Sequence, residues 1–122
     1  MASRTVKLCA FDVLADPGAK GFSLDPGEEE PVAGFVVRKG RRAFAYWNRC
    51  PHTGAPLEWV PDQFLDHEHR FIQCSLHGAL FRIETGECLH GPCVGQALQA
   101  LALRIHTGVL YVEVPESPGN PL

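Results

Sequence analysis

Two short segments each carry one thiol and one imidazole: Cys50-Pro51-His52 and Cys74-Ser75-Leu76-His77. Both lie in irregular stretches. Residues 48–61 hold Pro51, Gly54, Pro56 and Pro61 and show no periodicity, and residues 74–80 interrupt a strand-like run. Thiolate and imidazole are ligands for zinc, copper and iron–sulfur centres. Whatever fold surrounds them must therefore bring two loops to one point. A single Zn²⁺ accepts two Cys and two His tetrahedrally. Zinc fingers, however, usually take both thiols from one element and both imidazoles from another, whereas here each loop is mixed. A [2Fe–2S] cluster with two Cys on one iron and two His on the other explains the mixing, because each loop then straddles both irons.

The rest of the chain reads as a frame of short strands. Twelve glycines and ten prolines in 122 residues favour many turns, as in an all-β domain. Residues 5–11 alternate, with Val6, Leu8 and Ala10 on one face, as in a first strand at a sheet edge. Asp16-Pro17-Gly18 and Asp25-Pro26-Gly27 mark turns, and residues 28–30 form an acidic loop. Residues 32–38 and 41–47 form a hairpin around Lys39-Gly40, and residues 101–106 and 109–114 form a clearer one around Thr107-Gly108. Residues 63–65 and 70–73 are expected to pair around a polar tip, Asp66-His67-Glu68-His69. Residues 81–83 and 88–89 flank a turn at Glu84-Thr85-Gly86-Glu87. Residues 96–103 have helix-forming composition, but the hairpin turn that follows favours strand for their second half. Residues 116–122 read as a frayed tail. The length suits one domain, residues 1–122, with a cluster-binding portion at about 48–93.

Apolar residues make up 45% of the chain and charged residues 20%, so it reads as globular. A formal charge of −3 argues against a nucleic-acid partner, which requires a basic face. No run approaches the length of a membrane span. Residues 1–11 lack the apolar stretch of a secretory signal, so the expected compartment is the cytoplasm. Five cysteines, an odd number, fit a metal site better than a disulfide framework.

At this point the sequence resembles the Rieske [2Fe–2S] proteins. The resemblance rests on Cys50-Pro51-His52-Thr53-Gly54-Ala55-Pro56-Leu57 and Cys74-Ser75-Leu76-His77-Gly78-Ala79-Leu80-Phe81, and continues through Thr85-Gly86-Glu87-Cys88 and Gly91-Pro92. It implies an all-β Rieske fold: an antiparallel sandwich or partial barrel with an inserted cluster-binding subdomain of two metal loops. It also implies Cys50 and Cys74 on the inner iron, and His52 and His77 on the outer, more exposed one. The gap between the loops is somewhat long for the family, and the extra length is expected at the 66–69 tip.

The ligand set has an electrostatic consequence. With two thiolates the oxidised cluster is formally neutral, whereas four would make it a dianion, so reduction is easier. The family range is about −150 to +300 mV, against about −400 mV for plant-type ferredoxins. Hydrogen bonds to the sulfurs raise the potential further. High-potential relatives carry serine and tyrosine hydroxyls where this chain has Ala79 and Phe81, and a loop-linking disulfide where it has Ala55 and Leu76. A low-potential, ferredoxin-like centre follows. Gly54 and Gly78 let backbone amides approach the cluster, and Pro92 stiffens a third loop over it.

Other candidates read as structural. Cys88 and Cys93 are expected as small core or loop residues, and Cys9 as a buried apolar residue. His67 and His69 with Glu68 are expected at a solvated tip rather than in a second iron site. His90 and His106 are isolated. Trp47 and Trp59 are read as packing under the cluster, and Arg38, Lys39, Arg41 and Arg42 as a solvated basic tip. The resulting expectation is a one-electron carrier, not an enzyme, passing electrons from a reductase to an oxygenase or other acceptor. The exposed edges of His52 and His77, ringed by Pro51, Thr53, Gly54 and Leu80, are the expected exit. The alternatives are a small Rieske-like subunit of a larger reductase such as nitrite reductase, and a redox-sensing or zinc-stabilised module.

Overall fold

The computed structural model describes residues 3–24, 32–51, 57, 62–75 and 78–115. The expected turn at Asp25-Pro26-Gly27, the acidic loop at 28–30 and the tail at 116–122 lie outside them. The chain runs β1 (Ser3–Ala10), a 3₁₀ turn (Phe11–Val13), β2 (Gly18–Leu24), β3 (Val32–Lys39), β4 (Arg42–Trp47), β5 (Phe71–Gln73), β6 (Leu80–Arg82), β7 (Cys88–His90), β8 (Ala100–His106) and β9 (Val109–Pro115). Six strands form one antiparallel sheet in the order β1-β9-β8-β4-β3-β2, and β5-β6-β7 form a second, smaller one. The small sheet is inserted between β4 and β8.

Central strands bury both faces. In β3, Phe35 and Val37 point toward the insert, while Val36 packs with Leu14 and Leu110 on the other side. In β4, Tyr46 joins the insert-side core, while Ala45 and Trp47 pack with Leu101 and Val112. That second core also takes Val6 and Leu8 from β1 and Phe22 from β2. Side chains from the two outermost strands thus share one core, which makes the large sheet a curled half-barrel. The two-residue side-chain period explains why one strand feeds two cores. Trp47 is buried as expected, but it faces into the curl and not toward the cysteine loops. Trp59 lies outside the described residues.

Both expected hairpins form. Thr107 and Gly108 both have positive φ, 48° and 77°, the backbone that a two-residue hairpin turn matches to strand twist. In the other hairpin Lys39 pairs with Arg42, so the turn is Gly40 and Arg41, one residue later than expected. Gly40 at φ 66° opens it. Residues 96–99 are not helical, and Ala100–His106 is strand, as the hairpin required.

Three readings need correction. First, β1 carries a register shift between Lys7 and Cys9. One extra residue reverses the parity of the side chains. Leu8 and half-buried Cys9 therefore both reach core, and Ala10 is exposed. Second, β2 was not expected as a strand, because Gly18 and Gly21 weaken the β pattern. Gly21 lies close under Phe64: a Cβ there would meet the ring at 3.3 Å, a tight contact. Third, residues 63–65 do not form a strand. They contribute one bridge, Leu65 to Ile72, plus the bond from Gln73 N to Phe64 O.

Candidate metal centre

Two closed loops bring the thiols together. The first is tied at its base by Asn48, whose side-chain oxygen accepts from Leu57 N at 2.8 Å. Cys50, three residues past the end of β4, is buried within it. The second loop is closed by Cys74 N to Ala79 O at 2.9 Å and Gly78 N to Cys74 O at 2.8 Å, with Gly78 at φ 70°. The loops are joined to each other by Ser75 N donating to Leu57 O at 2.7 Å. Cys50 and Cys74 consequently enter one buried cluster with Leu57, Ala79, Phe81, Cys88 and Cys93. His52 and His77 lie outside the described residues, as do Thr53, Gly54, Ala55, Pro56 and Leu76.

A third loop, residues 91–96, packs against the second. Gly91 has φ 111°, and a Cβ there would meet Ala79 Cα and Cβ at 2.9 Å. Cys88 N to Gln96 O and Gln96 N to Cys93 O close this loop. Pro92 and Val94 are exposed, and Cys93 between them is buried. None of the five cysteines, all described, forms a disulfide. Cys88 and Cys93 are core residues, as expected, with Sγ atoms 3.4 Å apart. Burial, then the Cys88 sulfur and then Cys50, push the Cys93 thiol up to about 12.

The donor chemistry fits a metal cluster. Each loop delivers one buried thiol to the same buried cluster, and no charged side chain is buried among the described residues to compete for it. The absent hydroxyls are also plain, with Ala79 and Phe81 both buried in the same core. The profile of the Rieske [2Fe–2S] domain matches residues 16–110, most of the chain. The chain belongs to the Rieske [2Fe–2S] domain family. Its cofactor is a [2Fe–2S] cluster. No curated protein matches the chain in sequence.

Similar solved structures show the Rieske fold. The ferredoxin of carbazole 1,9a-dioxygenase from Nocardioides aromaticivorans IC177 is 24% identical, with a TM-score of 0.67 over 88% of this chain and 95% of that one. The Sphingomonas yanoikuyae B1 ferredoxin is 21% identical, with a TM-score of 0.64 over 92% and 100%. A Mycobacterium tuberculosis protein assigned as an NADH-dependent nitrite reductase small subunit is 23% identical, with a TM-score of 0.65 over 94% and 98%.

The remaining candidates stand apart from this Rieske centre. His67 and His69 are exposed beside a cavity of about 410 Å³ that Asp62 and Asp66 also line. Both carboxylates are engaged: Asp62 accepts from Gly21 N, and Asp66 from Arg70 N and Phe71 N. Among the described residues no group of side chains is arranged to hold a further metal ion. His90 and His106 are exposed. The basic tip is more than a solvated one. Arg38 lies 4.2 Å over the Phe11 ring and donates to Leu14 O, while Lys39 pairs with Glu84. That hydrogen bond from Lys39 holds the Glu84 carboxyl below its usual range. Sequence reading missed Asn48 as the clasp of the first loop. Its signal was a short polar side chain just before an irregular segment, the kind that bonds local backbone.

Proposed function

We propose that this Rieske protein is a one-electron carrier whose cluster is held by Cys50 and Cys74 on one iron and by His52 and His77 on the other. The observation that most supports this reading is the Ser75–Leu57 backbone bond, which sets the two loops side by side with both thiols in one buried core. When bound, the cluster supplies a one-electron couple. The chain's own residues exclude water: Leu57, Phe64, Ile72 and Phe81 are fully buried around the thiols. The third loop, seated by Gly91 on Ala79, covers the second. Residues 1–122 act as one domain, with residues 48–93 as its cluster-binding portion.

The chain performs no bond chemistry of its own in this reading, and the reaction belongs to the acceptor. The likeness to the ferredoxin of a dioxygenase supports an oxygenase as acceptor, and a reductase is the donor in this reading. Such redox encounters are brief and use small interfaces. No nucleic acid or membrane is involved, and the compartment is the cytoplasm. Among the described residues no helix is long and apolar enough to cross a membrane. A second reading, the small subunit of a reductase, is supported by the nearly full-length likeness to the mycobacterial protein. Sizing separates the two, since a stable monomer favours the carrier.

EPR of the dithionite-reduced protein tests the proposal. Mixed Cys/His ligation gives a lower average g value than four thiolates. Anaerobically prepared protein that is colourless and free of iron would overturn the reading, and colourless protein containing zinc would establish the zinc-stabilised module instead.

A further inference from the structure

We infer that Cys88 and Cys93 are a redox-active dithiol, closed to an intrachain disulfide by a low-molecular-weight disulfide of the oxidised-glutathione class, and that the link fastens the third loop over the cluster. Its effect on the cluster rests on the ligand assignment proposed above, whereas the pairing of the two thiols does not.

The two sulfurs stand 3.4 Å apart, and the residues are 3% and 1% exposed. A disulfide bond is about 2.05 Å long, so closure needs an approach of about 1.4 Å, which side-chain rotation supplies. The backbone holds the pair in place. Cys88 opens β7 and donates its N–H to Gln96 O at 3.0 Å, and Gln96 N donates to Cys93 O at 2.9 Å. Cys9 packs in a different core, with Leu14, Val36 and Leu110. The link also differs from the loop-linking disulfide of high-potential relatives, whose positions here are Ala55 and Leu76.

Cys88 pairs with Phe81 across the small sheet, and Gly91 seats the third loop on Ala79. A bond between residues 88 and 93 therefore ties the covering loop to the sheet into which the second metal loop runs. Buried thiols react slowly, so exchange waits for a local opening of the loop. The loop is built to lift. Val94 is 62% exposed, Gly95 has open space around it, and the bond across the tip, Val94 N to Gly91 O, is long at 3.4 Å. In the lifted loop the Cys93 thiolate attacks one sulfur of the oxidant. The oxidant's S–S bond breaks, and one glutathione leaves and takes up the Cys93 proton. Cys88 then attacks the Cys93 sulfur, the mixed disulfide breaks, and the second glutathione leaves with the Cys88 proton. Two electrons have passed from the two thiols to the oxidant. In a compartment that keeps thiols reduced, such a link is transient and closes under oxidative conditions.

The test uses the full-length, iron-loaded protein, incubated anaerobically with graded ratios of oxidised to reduced glutathione, quenched by alkylation and read by peptide mass mapping. The expected result is a Cys88–Cys93 cross-linked peptide whose yield rises with the ratio and disappears on adding dithiothreitol, with the cluster absorption retained throughout. The cross-linked form should bleach under a chelator about fivefold more slowly than the dithiol form, the factor that a modest local stabilisation carries. Cys93→Ser protein should show no such difference. Cys88 and Cys93 both alkylated at every ratio would overturn the inference. So would a stable glutathione adduct on either residue, or a cross-link to Cys50 or Cys74 with loss of colour. Equal bleaching of the two forms would overturn the fastening of the loop. Wild-type protein that binds no iron would instead sink the ligand assignment, and the thiol mapping, which needs no iron, still decides the pairing.

Discussion

The Tyr46 hydroxyl donates a buried 2.6 Å hydrogen bond to the Ile83 carbonyl, tying the half-barrel to the inserted sheet. Gly86, in the same turn, lies so close that a Cβ would meet Tyr46 Cε1 at 2.8 Å. Tyr46→Phe leaves the ring and orphans the carbonyl, so it should cost about 1–3 kcal/mol in chemical denaturation without changing the visible spectrum. Burial, with a smaller effect from Glu84, pushes the Tyr46 pKa up to about 12. The folded value lies above the unfolded one near 10. This tyrosine therefore contributes its full stability below about pH 10 and loses it as pH climbs toward 12. Tyr46→Phe should flatten that alkaline limb, and an unchanged limb would contradict the assignment.

Phe64 anchors the insert. Its ring stacks on Phe35 of β3 at 4.3 Å between centroids and 8° between planes, and both are fully buried. Phe64→Ala should cost about 3–5 kcal/mol. Thermal or urea unfolding of the holoprotein measures it, and a cost below about 1 kcal/mol would show that the stack does not hold the insert.

Gly91→Ala combines a positive φ with a Cβ 2.9 Å from Ala79. It should loosen the third loop from the second. The expected sign is faster bleaching of the cluster under a chelator, with destabilisation of at least about 1 kcal/mol. Gly95→Ala is the comparison, because a Cβ there meets nothing within 4 Å although its φ is also positive, 99°. Equal bleaching rates in the two variants would place the effect in backbone strain and not in the seat on Ala79.

Cysteine replacements separate ligands from neighbours. Cys74→Ser should abolish the colour, and Cys88→Ser should keep it. Iron content per chain, measured after anaerobic purification, reads both. Colourless Cys88→Ser protein would show that the ligand set is wrong.

The missing hydroxyls set the expected potential. With Ala79 and Phe81 in the core, the midpoint should fall near the low end of the family's span, and a value above about +100 mV would refute this account. Ala79→Ser should raise it.

The thiol–imidazole spacing, the turn residues and the alternating strands were enough to specify the all-β class, both hairpins and the four candidate ligands. These signals are local. A backbone at positive φ is written in Gly40 and Gly108, and a ligand type in its side chain. Tertiary structure alone decided features whose cause lies far away in the chain. β2 is a strand despite its glycines because it pairs along its length with β3, and at Gly21 the Phe64 ring, far along the chain, packs close over the backbone. Trp47 turned away from the thiols because strand parity gave that face to Tyr46. The bulge in β1 reversed the parity of its last residues. Cys93 reads in sequence as one more small core residue, and only the folding of a third loop over the second brings its sulfur 3.4 Å from that of Cys88, in one core with Cys50. Local propensity is carried by neighbouring residues, whereas packing is settled between segments that meet only once the sheet has curled.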